Sequence, residues 1–418
     1  MSESRIAELD AALPRLARKI RVLEAIAWPD GVEEHFLADW RAGRPRLPEV
    51  SLQPRDHSAE IEALEHLASR CDTGHPAGAF LAATAGSYAC AGRMLGAIGT
   101  PAFTDYSARL YQRPDHYYER QKMTPLDAAR FFLDTTDALL DSRCIPATDA
   151  CIPAEEFAAW MRTEVDAFFG PDQVRVVVDP DLASKAIAGA TRIRLRASAL
   201  FSELDKAQLL QHEAFVHVAT ALNGRAQPRL TSLALGAPRT TLTQEGIAML
   251  AELITGSIDI QRLRRVALRV VAIQQALDGA DFIEVFKGFL EAGQSEEESF
   301  RSTQRVFRGA DVRGGGAFTK DACYVIGMLG VHTLLRVAVR DNRPELLRQL
   351  FAGRMTAGDV VRLAPLFESG WLEQPRFVPP WAADLRRLAA TLAFSAFVGR
   401  INLEVIELER FVELEEEE

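Results

Sequence analysis

Two histidines stand five positions apart, with a glutamate directly after the first: Gln211-His212-Glu213-Ala214-Phe215-Val216-His217. This stretch limits what the chain can fold into more than any other. On a regular α-helix, residues four apart differ by only about 40° around the axis, which is why the common helical metal motif is His-Glu-x-x-His. A separation of five gives about 140°, and the two rings splay apart. One extra residue in the turn brings them back together, and π-type bulges of this kind often occur at functional sites. The spacing therefore predicts a bulge or a distorted helix between Glu213 and His217, with Phe215 and Val216 packed against the wall of the site.

Bringing two imidazoles together suggests a metal. Zinc takes neutral imidazoles and anionic oxygens or sulfurs in a tetrahedron, and a catalytic site keeps one position for water. The five cysteines, Cys71, Cys90, Cys144, Cys151 and Cys323, are far from the histidines in sequence and offer no thiolate ligand. The best third ligand is Glu245, in Thr243-Gln244-Glu245-Gly246-Ile247-Ala248. It opens a helical pattern of Ile247, Leu250, Ala251 and Ile254 that would hold it rigidly. Glu252, two turns on, is placed to accept an imidazole N–H and orient the ring. Gln244 is a candidate to orient the site or a substrate amide. Glu213, next to the first ligand, sits where a general base beside a metal-activated water belongs.

Composition bounds the alternatives. A chain of 418 residues exceeds one typical core. Hydrophobic residues make up 48% and charged ones 25%, so the chain is globular. The net charge of -10 argues against a nucleic-acid partner, which needs a basic face. The start has no basic flank before an apolar core, so no signal peptide is expected. The longest nearly apolar run, residues 388–398, falls short of the ~20 residues that span a bilayer. The expectation is a cytoplasmic protein with no membrane partner and with free thiols, although Cys144 and Cys151 are close enough in sequence to meet.

Residues 5–27 read as one amphipathic helix interrupted by Pro14, followed by a turn at Trp28-Pro29-Asp30-Gly31. Residues 41–54 read as a loop, and 59–69, 81–98 and 125–140 as helices, the last with Thr124 as cap and Pro125 in first position. Residues 1–145 thus form an N-terminal helical region, with a linker at 144–153, and 146–418 the functional domain. There, after a helix at 154–169, the period changes. Residues 174–178 form a strand, and Thr191-Arg192-Ile193-Arg194-Leu195-Arg196 alternates strictly, which predicts a strand at a sheet edge. Such an edge either guards against aggregation or serves as a rail for an extended substrate. Ser202 to Asp205 is a cap for the histidine helix. Arg313-Gly314-Gly315-Gly316 is a hinge or turn, since a phosphate loop needs Gly-Lys-Ser/Thr at its end. The tail from Leu414 is acidic and solvated. The class is α+β, mostly α, with a small sheet.

His212-Glu213-x-x-x-His217 together with Thr243-Gln244-Glu245-Gly246-Ile247-Ala248 resembles the family named for a Gln-Glu-Gly-Leu-Ala motif, whose bacterial members are called flavohaemoglobin expression-modulating. Its animal relatives include the microtubule-associated tyrosine carboxypeptidases, which remove a C-terminal tyrosine from tubulin. Ile247 stands where the motif has leucine. Further matches are Ile98-Gly99-Thr100-Pro101-Ala102-Phe103, Leu222-Asn223-Gly224 and Phe318-Thr319-Lys320-Asp321-Ala322-Cys323-Tyr324, so the resemblance covers most of the chain. It implies a zincin-like metallopeptidase core, zinc held by His212, His217 and Glu245, Glu213 as catalytic base, and a peptide or protein C-terminus as substrate. Nothing in the chain identifies a tubulin-binding surface.

A carboxypeptidase needs a cation for the terminal carboxylate and a donor for the developing oxyanion. Lys320 and Tyr324, four apart, are candidates for the two roles, and Arg239 is another for the first. The same pair also reads as a helix start with Tyr324 in the core and Lys320 in solvent. His332 reads as a core histidine. The leading expectation is a zinc-dependent carboxypeptidase. The rival is a non-catalytic regulatory or binding protein with a structural zinc, which would gain nothing from Glu213.

Overall fold

The computed structural model describes residues 2–119, 122–141, 150–182 and 184–398. Cys144, the boundary expected near residue 145 and the acidic tail lie outside them.

The architecture is mostly helical with small sheets. The N-terminal part carries α1 (Glu3–Ala17), α2 (Val22–Ala25), α3 (Val32–Arg41), α4 (Ser58–Ser69), α5 (Pro76–Gly96), α6 (Pro101–Tyr111) and α7 (Pro125–Asp141). The helix expected over 5–27 is in fact broken. Pro14 is accommodated inside α1, which ends one turn later through tight backbone bonds from Lys19 to Leu16 and from Ile20 to Ala17. Ile20 and Ile26 are buried all the same, so a hydrophobic stripe survives a break in the helix that carries it. Thr124 caps α7 by accepting the Asp127 N–H, as its position suggested.

Next come β1 (Ile152–Pro153), α8 (Ala154–Phe169), β2 (Arg175–Asp179), β3 (Ala186–Ala188), β4 (Arg192–Arg196) and β5 (Leu200–Phe201). β1 pairs antiparallel with β5. The larger sheet has the order β2-β4-β3, with β4 parallel to β2 and antiparallel to β3. The arginine-rich strand is therefore central, and the edges are β2 and β3. Alternation reports that one face of a strand is exposed, and says nothing about whether both sides are paired. Arg194 bonds Asp179 on the neighbouring strand at 3.2 Å instead of guarding an edge.

α9 (Glu203–Leu209) begins with a capping box between Ser202 and Asp205. It runs straight into a π-helix, Leu210–Val218, and then α10 (Ala219–Ala226). α11 (Thr241–Ile254), α12 (Ile260–Leu277), α13 (Phe282–Glu291), α14 (Glu296–Phe307), α15 (Cys323–Arg340), α16 (Glu345–Gln349), α17 (Ala357–Glu368), α18 (Pro380–Ala383) and α19 (Leu385–Val398) complete the described chain. The principal core draws Leu9 and Leu13 from α1, Leu81 from α5, Leu250 from α11, Val331 from α15 and Leu363 from α17. A second core packs Phe157, Met161 and Val165 of α8 against the sheet and against Ala214, Phe215 and Val218. With its leading turn, α15 spans 22 residues, Thr319–Arg340, long and apolar enough to cross a membrane, yet 56% of its most apolar window is buried in this fold.

Candidate metal centre

The π-helix does what the spacing demanded, over a longer stretch than one bulged turn. With i to i+5 hydrogen bonding, residues five apart lie close to one above the other. The two histidine rings face each other with centroids 4.8 Å apart and planes at 85°. Phe215 and Val216 are buried, the first in the core that packs α8 against the sheet and the second in the principal core.

α11 supplies the third group, and its position depends on a glycine. A Cβ on Gly246 would sit 2.2 Å from the Gly327 carbonyl oxygen, so only glycine lets α11 lie this close to α15. In that crossing Glu245 Oε2 comes 3.3 Å from His212 Nε2 and 3.6 Å from His217 Nε2. One donor atom from each of the three residues lies within 4.8 Å of the others. Zinc–ligand bonds of about 2.0–2.1 Å in a tetrahedron place donors roughly 3.3 Å apart, so two of the three separations already match. Glu245 Oε2 is buried and has no hydrogen-bond partner, a costly state for a carboxylate oxygen and one that a cation between these groups would relieve. Two imidazoles and a carboxylate are also a zinc donor set. The residues fit the metal.

A buried network backs the triad. Glu252, expected to accept an imidazole N–H, takes that of His212 Nδ1 at 2.7 Å. Gln208 Nε2 and Arg262 donate to the same carboxylate. Burial works against charge on Glu252, but Arg262 and His212 outweigh it and hold its pKa down at about 2. Burial likewise opposes charge on His212, and Glu245 and Glu252 overcome it, pushing the imidazole up to about 10. Gln244 Oε1 accepts from Thr220 and so ties α11 to α10, the continuation of the π-helix.

Glu213 is nearly buried, and its Oε2 accepts the Ala188 N–H of edge strand β3 at 2.8 Å. Lys320 lies in a short 3-10 turn before α15, with its ammonium 3.6 Å from Glu245 Oε1. Burial opposes that charge too, yet Glu245 holds the ammonium above the usual lysine range. Tyr324 packs beneath it, 5.8 Å from Nζ to ring centroid, and 6.4 Å from the His212 ring. Burial, helped by Glu245, pushes the phenol up to about 12 against Lys320 and Arg305, so it is a proton donor at neutral pH. Arg239 stands apart in a buried ion pair with Asp359 at 2.7 Å. His332 is half-buried, with Nε2 3.2 Å from Ser395 Oγ.

Sequence reading missed three participants. The Ala188 N–H belongs to a strand with no pattern of its own. Arg262 is one arginine of several on α12. Arg354, whose Nη2 donates to the His217 carbonyl at 3.2 Å, lies 137 residues away from it in the chain, and no local signal points to it.

Two imidazoles and a carboxylate meeting at a buried point, with a second carboxylate beside them, define a candidate metal centre in a mostly helical α+β protein. The chain belongs to the microtubule-associated tyrosine carboxypeptidase family, whose model matches residues 34–400. No curated protein matches it.

Proposed function

We propose that this chain is a zinc-dependent carboxypeptidase acting on the C-terminus of a peptide or protein, with a zincin-like core and cytoplasmic residence. The observation that carries the metal assignment is the unpartnered, buried Glu245 Oε2 between two imidazole nitrogens. When bound, zinc would supply an acidified water and a Lewis acid for the scissile carbonyl.

The remaining work falls to the chain's own side chains. His212, His217 and Glu245 hold the cation, and Glu252 fixes the His212 tautomer so that Nε2 faces it. Glu213 takes the proton of the attacking water at its carboxylate and returns it to the leaving amine. Tyr324, neutral and partly buried, donates towards the oxygen on which negative charge develops. The Lys185 carbonyl and Gly189 N–H bond to β4, so Ala186 and Ala188 turn their backbone groups away from that strand. A substrate strand laid against this edge would pass Glu213, and the rail once expected of β4 is reassigned to β3.

The test has two arms. Purified protein should hold about one zinc per chain, and His212→Ala or Glu245→Ala should lose it. Glu213→Gln should keep the zinc and abolish cleavage of a peptide mixture read by mass spectrometry, in which wild type removes single C-terminal residues. Metal-free wild type, or cleavage that persists in Glu213→Gln, refutes the reading. Zinc retained without any cleavage marks a binding protein.

A further inference from the structure

Three hydrophobic clusters meet at the start of α11 without filling the space between them. The cavity left there measures about 450 Å³. Val331 reaches it from the principal core, Leu242 and Ile326 from the aromatic core around Phe282 and Phe300, and Met123 and Leu329 from a smaller cluster around Val266 and Val270. Two glycines of α15 line it as well. A Cβ on Gly330 would meet nothing within 4 Å, so space opens directly at its Cα, and Gly327 is the residue on which Gly246 packs. The cavity is separate from the metal centre. Thr241 and Glu245, four apart, share one face of α11, and Thr241 lines a different cavity that takes in Lys320. Thr243 stands two positions from Glu245, about 200° around the helix, and lines this one. α11 therefore lies between the two.

The polar groups of the lining say what it would accept. Among the described residues, Arg239 alone in this lining is charged at neutral pH. Its guanidinium is already matched, by Asp359 at 2.7 Å and the Thr84 hydroxyl at 3.3 Å. An acid or an amine entering here would leave water without a free counter-charge to meet it. The hydroxyls of Thr243 and Thr356 are also engaged, each accepting a backbone N–H of α17. Gln112 differs. It ends α6 at φ 66° and ψ 174°, a conformation that residues with a Cβ rarely adopt. Strain of this kind persists only where the surroundings over-determine it, and it clusters at ligand sites. The Tyr118 hydroxyl donates to the Gln112 side-chain carbonyl and fixes the amide beside the cavity, its N–H donors bonded to no described residue.

We infer that this cavity binds an uncharged, largely apolar small molecule carrying a hydrogen-bond acceptor. Its apolar body lies between Leu242, Ile326 and Leu329, and its acceptor meets the Gln112 amide. Sites for small molecules are typically roughly 300–1,000 Å³, mostly apolar, with a few polar groups that fix orientation, and this cavity has that make-up. The molecule is not the substrate, because α11 separates it from the side chain of Glu245. It lies instead against both helices of the crossing that places Glu245, α11 and α15. The assignment does not depend on the peptidase reading.

The probe is Nile red, an uncharged fluorescent dye with a carbonyl acceptor. Its titration against the purified full-length protein should saturate at about one dye per chain, with micromolar affinity. Gly330→Phe places a ring in the cavity and should weaken binding at least about tenfold, with the melting temperature near that of the parent. Gly86→Phe is the control: an equally open helical glycine on α5 that lines neither cavity, and it should bind the dye as the parent does. Gln112→Met keeps the bulk, removes the donors and should weaken binding about two- to tenfold. The anionic dye 8-anilinonaphthalene-1-sulfonate should not displace Nile red. Absence of saturable binding, binding that survives Gly330→Phe or falls equally in Gly86→Phe, an unchanged affinity in Gln112→Met, or displacement by the anionic dye would each overturn the inference.

Discussion

The site turns on which polar groups have partners. Among the described residues, Glu245 Oε2 and Arg354 Nε are both buried without a hydrogen-bond partner; the first lies 3.6 Å from His217 Nε2, and the second belongs to the guanidinium that bonds the His217 carbonyl. Glu252 is the contrasting case, a buried carboxylate fully engaged by His212, Gln208 and Arg262. If His212 holds zinc as proposed, Glu252→Gln should keep the fold and weaken zinc binding about 10- to 100-fold, measured by competition with a chelating dye. An unchanged affinity would mean that the His212 ring is held by packing alone. That His212, His217 and Glu245 would come together could be read from the chain because short motifs constrain them. Arg354, Arg262 and the Ala188 N–H could not, because their roles arise from contacts between segments far apart in sequence.

Elements set the distances that these residues need. The π-helix converts a five-residue spacing, awkward on an α-helix, into two rings on one side. The Gly246–Gly327 crossing then brings α11 near enough for Glu245 to reach both. Gly246→Ala should therefore force α11 and α15 apart, lowering stability by about 1–3 kcal/mol or more and zinc affinity with it. Gly330→Ala on the same α15 is the control: a Cβ there meets nothing within 4 Å, so helix propensity should leave stability equal or raised, by up to about 1 kcal/mol. Denaturant midpoints and metal content separate the two variants, and equal behaviour would remove the helix crossing from the account. The motif Leu222-Asn223-Gly224 has a similar explanation. Asn223 bonds the carbonyls of Phe351 and Phe377 and accepts two backbone N–H groups, from Arg376 and Phe377. A Cβ on Gly224 would meet the Leu233 carbonyl oxygen at 2.5 Å.

Across the whole molecule, buried charge couples the site to stability. Asp321 is buried between Arg305, 2.7 Å away, and Arg269. Burial would raise its pKa, but the two guanidiniums hold it below the ordinary value of 3.8. A carboxyl depressed in the folded state contributes its full stabilisation above the unfolded value and loses it as pH falls towards the folded one. Stability measured in urea should thus decline below about pH 4. Asp321→Asn should remove that component and cost about 3–5 kcal/mol at pH 7, because two buried guanidiniums lose their counter-charge. A variant as stable as wild type at pH 7 would show that those arginines are solvated. Chelation should lower the melting temperature of wild type and leave His212→Ala unmoved, since a ligand that binds only the folded chain stabilises it. By itself the sequence determined several of the helices, the capped starts of α7 and α9 and the strained histidine spacing, since each depends on residues within a few turns of one another. Tertiary structure alone decided that the arginine-rich strand is central, that α1 stops short of the expected helix, and that Arg354 bonds the His217 carbonyl. These depend on which distant surfaces meet, and periodicity along the chain carries no record of that.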